Sequence, residues 1–445
     1  MKQFTSFLRC AFLVFIGAAL FGYVVLKAER GARVKGARDA VLFIAEFPDH
    51  VKEAYAELKD GNTSPYVTKA EQGECGVATR DSSFVDSNYV LASFFDPTIG
   101  EARIELIRID DGEPIYGWTP PEKEIMERYT ASGMPFVEYR RITHQNFLAI
   151  HPLLFDDGSV LFNLMYGPMV KIDKQSHIQW IIGDCFHHSL QQDADGNIWA
   201  CLDEKMPRFD SLFSFKGQPF ESNSIVKISP EGEVLFKKSV DDILLENNLA
   251  GLLYGAGEFE NDPVHVNDIQ PALSDSKYWK KGDLLISMRN KSTIFLYRPS
   301  ENKITWLRQG PWIDQHDVNF VDSSHISLFG NDIVRLQGEE KYYPLRGNSN
   351  LYVIDMSCGQ VATPYEKLFN TQKLYNSFEG RGKILDNGLL FVEETYTGHL
   401  VIGNEKDILW SYSKCFPSGL VSSLGWCRYI PKDSLKLDFL AKQTL

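Results

Sequence analysis

The chain has 445 residues, of which 44% are hydrophobic and 24% are charged, and its formal net charge at pH 7 is −13. This composition is that of an ordinary globular protein. The acidic balance argues against a general nucleic-acid binder, because contacts to phosphate groups require a surplus of Lys and Arg. It does not exclude an anionic small substrate, since a single pocket can be locally positive.

The first 27 residues differ from the rest of the chain. Residues 10–26 contain no charged side chain, and Lys2 and Arg9 precede them. The stretch is short for a spanning helix but longer than a usual signal-peptide core, and a basic flank follows it in place of a cleavage site. We predict a signal anchor at residues 1–27 that attaches the protein to a membrane, with the remainder facing the periplasm or cell exterior. The positive-inside rule does not support this orientation, and a cleaved signal peptide is the alternative.

Seven cysteines are present, one in the apolar stretch and six beyond it. An even number is compatible with disulfide bonds outside the cytoplasm. Cys415 and Cys427 are close in sequence, and we expect this pair to form a bridge; the sequence leaves the other pairings open. No C-x-x-C pair is present, so a zinc site is not expected.

The segment between the anchor and the main domain, residues 28–74, contains a helical pattern that is interrupted at Pro48. This pattern predicts a short helical stalk. From residue 75 onward the chain changes to short β runs separated by Gly, Asp, Asn and Pro, and continuous helical periodicity is scarce.

A unit of four β runs recurs in this second part of the chain. Each unit opens with two runs joined by a turn and ends with a third run, a polar turn and a closing run that is usually aromatic. The opening runs lie near residues 151, 188, 265, 316 and 379. The closing positions, roughly fifty to seventy residues apart, are Trp118, Trp180, Phe236, Trp306, Ala362 and Trp410.

Four-stranded units repeated around an axis form a β-propeller, which protects its sheet edges by radial repetition. Six units predict an all-β, six-bladed propeller over residues 75–445, closed by a strand or cap formed from the final run LGWCRYI. A two-sheet sandwich is the alternative, but it does not require a unit that recurs six times.

Histidines recur at equivalent positions of three units. The innermost strand of each blade lines the central channel, so the residues that open each unit converge there. His187 and His188 open one unit, His265 and Asn267 open the next, and His316 opens a third. A single histidine at such a position is usually structural, whereas three equivalent ones indicate a site.

Arg289 and Asn290 end the run that pairs with the second of these strands. A cluster of histidines can bind a transition metal. Arg289 argues against a metal, because a permanent cation repels a metal ion and favours a tetrahedral anion. We therefore expect an anion site without a metal.

These residues lie in stretches that resemble the bacterial arylsulfotransferase family. The similarity covers roughly residues 90–430, in matching order along the chain, and its most specific stretches are FHHSLQQDADGNIW, HVNDIQPA, YWKKGDLLISMRN, GPWIDQHDVNF and GRGKILDNGLLFVEET. The resemblance implies a six-bladed propeller that transfers a sulfuryl group from an aryl sulfate to a phenol without a nucleotide donor. No cofactor is expected.

The resemblance also implies roles for individual residues. The nucleophile of the family is a histidine in a motif similar to QHDVN, which places this role on His316. The further catalytic residues that we expect are His188, His265 and Arg289. The substrate-binding residues that we expect are Asn267, His187 and Asn290.

Sulfuryl transfer needs residues of these types. It resembles phosphoryl transfer, in which negative charge develops on the equatorial oxygens, and fixed donors around those oxygens lower the barrier. A neutral imidazole can attack sulfur and form a covalent N-sulfo intermediate. A second histidine can protonate the leaving phenolate and deprotonate the acceptor.

Three other functions are compatible with the sequence. A noncatalytic propeller can use the same face to bind a glycan or a protein partner, and a sulfatase-like hydrolase can use water in place of the phenol. A quinone-dependent dehydrogenase is the least favoured, because no matching cofactor motif is found. In the family a separate N-terminal β-sandwich supports a dimer, whereas here we expect a membrane anchor and short helices in that place. The sequence therefore leaves the oligomeric state open.

Overall fold

The computed structural model describes most of the chain beyond residue 63. The described residues are Phe21, 64–69, 75–79, 81, 84–131, 142, 144–204, 222–255, 262–335, 342–434, 436 and 439. Apart from Phe21 they all belong to the second of two compact units. The first unit comprises Met1–Thr63 and Pro207–Pro219, and the second comprises Ser64–Met206 and Phe220–Leu445.

The predicted anchor at residues 1–27 lies outside the described residues, except for the helical residue Phe21. Among the helices that the structure describes, none has the length and apolar character needed to cross a membrane. Most of the predicted helical stalk at residues 28–74 also lies outside the described part. Where the stalk segment is described, Val67–Lys69 forms a β-strand and not a helix.

Antiparallel β-strands make up most of the described chain. In the first half the strands are β1 (Val67–Lys69), β2 (Gly76–Thr79), β3 (Tyr89–Asp96), β4 (Glu101–Arg108), β5 (Pro114–Trp118), β6 (Ala149–Leu154), β7 (Val160–Leu164), β8 (Gly167–Ile172), β9 (Ile178–Gln192), β10 (Ile198–Glu204), β11 (Ser222–Ile228) and β12 (Val234–Ser239). In the second half they are β13 (Val266–Pro271), β14 (Leu284–Met288), β15 (Thr293–Arg298), β16 (Lys303–Gln309), β17 (Gln315–Phe320), β18 (His325–Gly330), β19 (Ile333–Arg335), β20 (Tyr342–Pro344), β21 (Asn350–Asp355), β22 (Val361–Ala362), β23 (Arg381–Ile384), β24 (Leu390–Glu394), β25 (His399–Gly403), β26 (Ile408–Ser413), β27 (Leu420–Ser422) and β28 (Arg428–Ile430). The α-helices of the described part are α1 (Glu122–Ala131), α2 (Val240–Glu246), α3 (Ala250–Tyr254) and α4 (Glu366–Gln372).

The strands form a propeller-like, all-β arrangement, as the sequence predicted, but the number of separate blades is four and not six. The four blades have the strand orders β28-β3-β4-β5, β13-β14-β15-β16, β17-β18-β21-β22 and β2-β26-β25-β24-β23. A further sheet has seven strands in the order β12-β11-β10-β9-β8-β7-β6. Two small sheets pair β1 with β27 and β19 with β20.

The difference from six separate blades lies in β9. This strand continues for 15 residues. Its residues 178–182 pair with β8, and its residues 185–192 pair with β10. The sequence predicted a break between the closing Trp180 and the opening His188. The chain makes no turn there, so the strands on both sides belong to one sheet.

The apolar core lies between neighbouring sheets. Ile294 and Leu296 of β15 pack in one cluster with Leu328 of β18 and Ile354 of β21. The strands β7, β14 and β24 are buried along their whole length, whereas β12 and β16 are partly exposed. Burial on both faces explains why β7 and β14 are almost continuously apolar.

The closing tryptophans connect neighbouring hairpins. Trp118 and Trp410 are almost completely buried, and Trp180 is partly buried. Their indole N–H groups donate to backbone carbonyls of other hairpins, at 3.0 Å for Trp118, 2.9 Å for Trp410 and 3.1 Å for Trp180. Each such residue combines a large buried ring with a satisfied donor. This pairing explains why an aromatic residue recurs at the end of the unit.

Polar hydrogen bonds link the strands that begin the units. In each of these bonds a backbone N–H of one strand donates to a side chain of the preceding strand. The pairs are Leu190 to His151 Nδ1 at 3.0 Å, Ile269 to Ser189 Oγ at 3.1 Å, Val318 to Asp268 Oδ2 at 2.7 Å and Gly382 to Asp317 Oδ2 at 2.9 Å. The strands near residues 151, 188, 265, 316 and 379 therefore lie side by side.

The two ends of the described domain close this arrangement. The run LGWCRYI supplies β28, which pairs antiparallel with β3. The backbone N–H of His151 donates to the Gly425 carbonyl at 2.7 Å, just before β28. Segments from both ends of the domain therefore complete the same blade.

The cysteine pairing differs from the prediction. Cys415 is bonded to Cys75 and not to Cys427, and the two Cα atoms of the bonded pair are 5.4 Å apart. The pairing of β2 with β26 brings Cys75 beside Cys415. Cys427 is fully buried, without a disulfide, and its backbone N–H donates to the Glu393 carboxylate. Sheet closure, and not proximity in sequence, selects the pair.

Replacing Cys415 with Ser should lower the free energy of unfolding by about 2–4 kcal/mol, because the bond cross-links segments far apart in the chain. Cys75→Ser should give the same loss. Denaturant unfolding under non-reducing conditions measures it. Cys358→Ser, at an exposed free thiol, is the matched control. A Cys415→Ser protein as stable as the wild type would contradict this assignment.

Candidate active site at the inner strands

Four buried imidazole rings lie together in or directly before three inner strands. His187 and His188 belong to β9, His265 precedes β13, and His316 lies in β17. The centroid of the His188 ring is 5.0 Å from that of His187, 5.2 Å from that of His265 and 6.1 Å from that of His316. None of the four residues is more than 6% exposed. The structure thus brings together the histidines that the sequence singled out.

Arg289 follows β14 in a short 3₁₀ turn, and its backbone N–H donates to the His265 carbonyl at 3.0 Å. Its guanidinium is 22% exposed, and Nε lies 3.1 Å from Asp314 Oδ1. The same Nε donates to Asn290 Oδ1 at 3.0 Å, and Asn290 Nδ2 donates to the Asp262 carbonyl at 2.7 Å. Asn290 therefore supports Arg289 and the segment before His265. Its direct contact with substrate stays a prediction.

Two of the other predicted binding residues make contacts within the protein. Asn267 Nδ2 donates to the Gln315 carbonyl at 2.7 Å and thereby connects β13 to β17. His187 Nε2 faces Asp203 Oδ1 at 2.9 Å, and His187 Nδ1 lies 2.7 Å from His188 Nδ1. Nδ1 of His187 is thus hydrogen-bonded to His188, and Nε2 lies close to Asp203 without forming a hydrogen bond, which favours a supporting position behind His188.

The hydrogen bonds around His316 fix its tautomer. His316 Nδ1 lies 2.7 Å from Asn331 Oδ1. Asn331 uses its Nδ2 to donate to the carbonyls of Glu379 and Asn376, at 2.7 and 3.2 Å, so the amide oxygen faces the ring. Because an amide oxygen only accepts, Nδ1 of His316 carries the hydrogen. Nε2 then has a free lone pair, and this atom is buried without a hydrogen-bond partner.

His265 is held in a similar way by a carboxylate. Its Nδ1 is hydrogen-bonded to Asp262 Oδ2, and its backbone N–H donates to Asp262 Oδ1 at 3.1 Å. Its Nε2 is buried without a hydrogen-bond partner. A carboxylate on Nδ1 orients an imidazole and makes its other nitrogen more basic.

Burial makes His188, His265 and His316 weak bases. It lowers the pKa of His316 to about 3, and the positive charge of Arg289 contributes in the same direction. Burial also holds the pKa of His188 well below its ordinary value, with smaller contributions from the neighbouring histidines and Arg289. The pKa of His265 is lowered by burial and by Arg289, although Asp262 opposes this. At neutral pH these three rings are therefore neutral and lie beside the permanent cation Arg289.

The sequence did not identify several residues around these rings. Asp262, Asn331 and Asp203 hold the histidines but belong to other segments or strands. Trp426 was assigned only to the closing strand, yet its ring centroid lies 5.5 Å from that of His188 and 6.1 Å from that of His316. Its place just before β28, where other units have a histidine, was the signal that was available.

Glu379 is another residue that the sequence did not identify. Its carbonyl accepts a hydrogen bond from Asn331, the residue that holds the nucleophile candidate His316. Burial raises the pKa of the Glu379 carboxyl to about 7, and the nearby charge of Glu393 adds to this effect. The side chain of Trp426 and the charge of Arg289 act in the opposite direction.

His316 should remain neutral, with its hydrogen on Nδ1, from neutral pH to about pH 5. Because the pKa of His316 is lower in the folded protein than in the unfolded chain, the unfolded chain binds the proton at a higher pH. The free energy of unfolding therefore decreases as the pH falls toward 3. Long-range ¹H–¹⁵N NMR of imidazole-labelled protein reports the tautomer, and His316→Gln identifies the signal. Protonation of His316 with a midpoint above about pH 6 would contradict the geometry.

The chain is similar to several solved structures at low sequence identity. No protein of curated function matches the sequence. Similar solved structures include a Bacteroides caccae protein of unknown function (12% identity, 76% of this chain and 98% of that chain covered, TM-score 0.46). They also include TolB from Acinetobacter baumannii (10%, 78% and 67%, 0.42) and apo AztD from Citrobacter koseri (10%, 78% and 99%, 0.37).

A family model described as Arylsulfotransferase (ASST) matches residues 151–414. This match covers more than half of the chain and runs from β6 to the residue after β26. It contains all of the histidines described above together with Arg289. The chain therefore belongs to the arylsulfotransferase family.

Proposed function

We propose that this protein transfers a sulfuryl group from an aryl sulfate to a phenol through a covalent sulfo-histidine at His316, without a nucleotide donor. One observation carries the proposal. His316 Nε2 is buried and without a hydrogen-bond partner, while Asn331 accepts the hydrogen of Nδ1. A neutral imidazole held in this tautomer has its lone pair on the only ring nitrogen that is free to react.

In the first half-reaction Nε2 of His316 forms a bond to sulfur while the bond from sulfur to the aryl oxygen breaks. The electron pair of that bond leaves with the phenolate. The three other oxygens of the sulfuryl group carry the negative charge in the transition state. Arg289, which lowers the pKa of His316 and is therefore electrostatically close to it, is the cation that would stabilise this charge.

The second half-reaction regenerates the enzyme. The oxygen of an acceptor phenol bonds to sulfur, the bond from Nε2 to sulfur breaks, and His316 returns to its neutral form. The phenol must lose its proton in this step, so a base is required. The almost complete burial of the four histidines supports transfer to a phenol over transfer to water.

A separate observation supports the proposed cellular location. The disulfide between Cys75 and Cys415 suits an oxidising compartment, which supports the periplasm or the cell exterior.

The two pairing regions of β9 support counting the seven-stranded sheet as two blades of four strands that share this strand. On this count the propeller has six blades.

His316→Ala should abolish the covalent sulfo-enzyme, because no other group is assigned to accept the sulfuryl unit. Intact-mass analysis after mixing with 4-nitrophenyl sulfate measures the adduct, and release of nitrophenol gives the rate. His177→Ala, at a largely exposed histidine, is the matched control. Undiminished sulfation of the His316→Ala protein would exclude the mechanism. If the wild type gained no such mass and released no nitrophenol with any phenol tested, a noncatalytic binding protein would be the better assignment.

Arg289→Gln should slow sulfation of His316 by roughly a hundredfold to a thousandfold, because it removes charge stabilisation but keeps the nucleophile. The rate of mass gain with 4-nitrophenyl sulfate measures this effect. Arg108→Gln, at an exposed pair with Asp111, is the control. Sulfation at the wild-type rate in the Arg289→Gln protein would show that this cation does not act in the transition state.

A further inference from the structure

We propose that His188 removes the proton of the acceptor phenol and that His187 and Asp203 form a relay behind it, which carries the resulting positive charge away from Arg289. This inference rests on the proposed function. His188 would be the group that touches the phenol, and His187 and Asp203 would be positioning residues that act through it.

The relay is a continuous line of three buried groups. Nδ1 of His188 lies 2.7 Å from Nδ1 of His187, and Nε2 of His187 lies 2.9 Å from Oδ1 of Asp203. His188 and His187 are 3% and 1% exposed, and Asp203 is 7% exposed. Water therefore has little access to the line, and the charges in it interact strongly.

Neighbouring residues hold the relay in place. Asn223 Nδ2 donates to Asp203 Oδ1 at 2.5 Å, and Asn223 Oδ1 accepts from the backbone N–H of Val266. Tyr166 stacks on the His187 ring with 5.3 Å between centroids and 27° between planes. The carboxylate and the two imidazole rings, whose planes are 87° apart, are thus fixed in position before any substrate binds.

The line of contacts selects one arrangement of hydrogens. Nε2 of His187 lies 2.9 Å from Oδ1 of Asp203 without a hydrogen bond of normal geometry. A lone pair on Nε2 would be repelled by the carboxylate charge, so Nε2 carries the hydrogen. Nδ1 of His187 then has a lone pair, and the hydrogen between the two rings belongs to Nδ1 of His188. This arrangement leaves the lone pair of His188 on Nε2. His188 is therefore prepared to act as a base.

Proton transfer along this line is balanced at every step. The phenol O–H gives its proton to Nε2 of His188 as the phenol oxygen bonds to sulfur. Nδ1 of His188 passes its own hydrogen to Nδ1 of His187. His187 becomes the imidazolium ion, 2.9 Å from Asp203. The same transfers in reverse return a proton to a leaving phenolate.

The surrounding charges explain why a relay is needed. His188 faces His265, His316 and Arg289, and burial with these neighbours holds its pKa well below the ordinary value. A positive charge that stayed on His188 would lie among these groups. A positive charge on His187 lies next to the Asp203 carboxylate. The Asp262 carboxylate also interacts electrostatically with His187. Cys201, beside Asp203, is kept as the neutral thiol because burial raises its pKa.

Asp203→Asn tests the relay by separating the two half-reactions. Sulfation of His316 by 4-nitrophenyl sulfate should keep nearly its wild-type rate, since nitrophenolate leaves without a proton. Transfer from the isolated sulfo-enzyme to a weakly acidic phenol should fall roughly a hundredfold, and transfer to a strongly acidic phenol should fall less. The acid limb of the transfer pH profile should move to lower pH, because removing the carboxylate charge lowers the pKa of the histidine pair. Asp203→Glu should restore part of the rate.

Asp173→Asn, at an exposed Asp–His pair with His177, is the matched control. Equal transfer rates to all phenols in Asp203→Asn and wild type would overturn the relay, and so would an equal loss in both half-reactions.

If Asp203→Asn does not fold, ¹⁵N NMR of the wild type decides instead. Hydrogens on Nε2 of His187 and Nδ1 of His188 support the relay, and any other arrangement overturns it. A wild type that forms no sulfo-enzyme would reject the proposed function itself.

Discussion

The hydrogen bonds between inner strands are the interaction on which the rest of the structure depends. In each of them a side chain of one strand accepts from a backbone N–H of the next, as in the bond from Val318 to Asp268 at 2.7 Å. Several of these strands contain a residue with left-handed backbone, including His151, His188, His265 and Asp317. Such conformations cost about 1–3 kcal/mol each unless the surroundings enforce them. The bonds between strands provide this enforcement, and the site histidines lie within three residues of them.

A buried ion pair connects this framework to the nucleophile candidate. Asp317 follows His316 directly, and its carboxylate accepts from Arg381 Nε at 2.9 Å and Nη2 at 2.6 Å. Arg381 Nη1 also donates to the Cys427 carbonyl at 2.8 Å, which links β17, β23 and the closing segment. Loss of one partner from such a pair leaves a buried charge unpaired and typically lowers the free energy of unfolding by about 3–5 kcal/mol. The position of His316 and the closure of the domain are therefore coupled.

The sequence predicted the parts of the molecule that follow from its repeat. Equivalent positions of a repeat meet at the axis, so the convergence of His188, His265 and His316 could be expected. The Cys75–Cys415 bond could not, because its partners are distant in sequence and meet only through sheet closure. Asp203, which comes from a neighbouring strand, also carried no local signal. The continuity of strand β9 was not predicted, because its residues 178–192 begin as a closing run with Trp180 and continue as an opening run with His188.

The pairing of His187 with His188 shows how the backbone creates chemistry that the sequence pattern does not reveal. In a regular strand, successive side chains point to opposite faces, and adjacent histidines do not meet. Here His188 has a φ of 53°, and the register of β9 with β10 shifts between Ala200 and Cys201. A bulge of this kind re-aims a side chain. It brings the two Nδ1 atoms within 2.7 Å, and the left-handed residue thereby turns two adjacent histidines into one coupled pair.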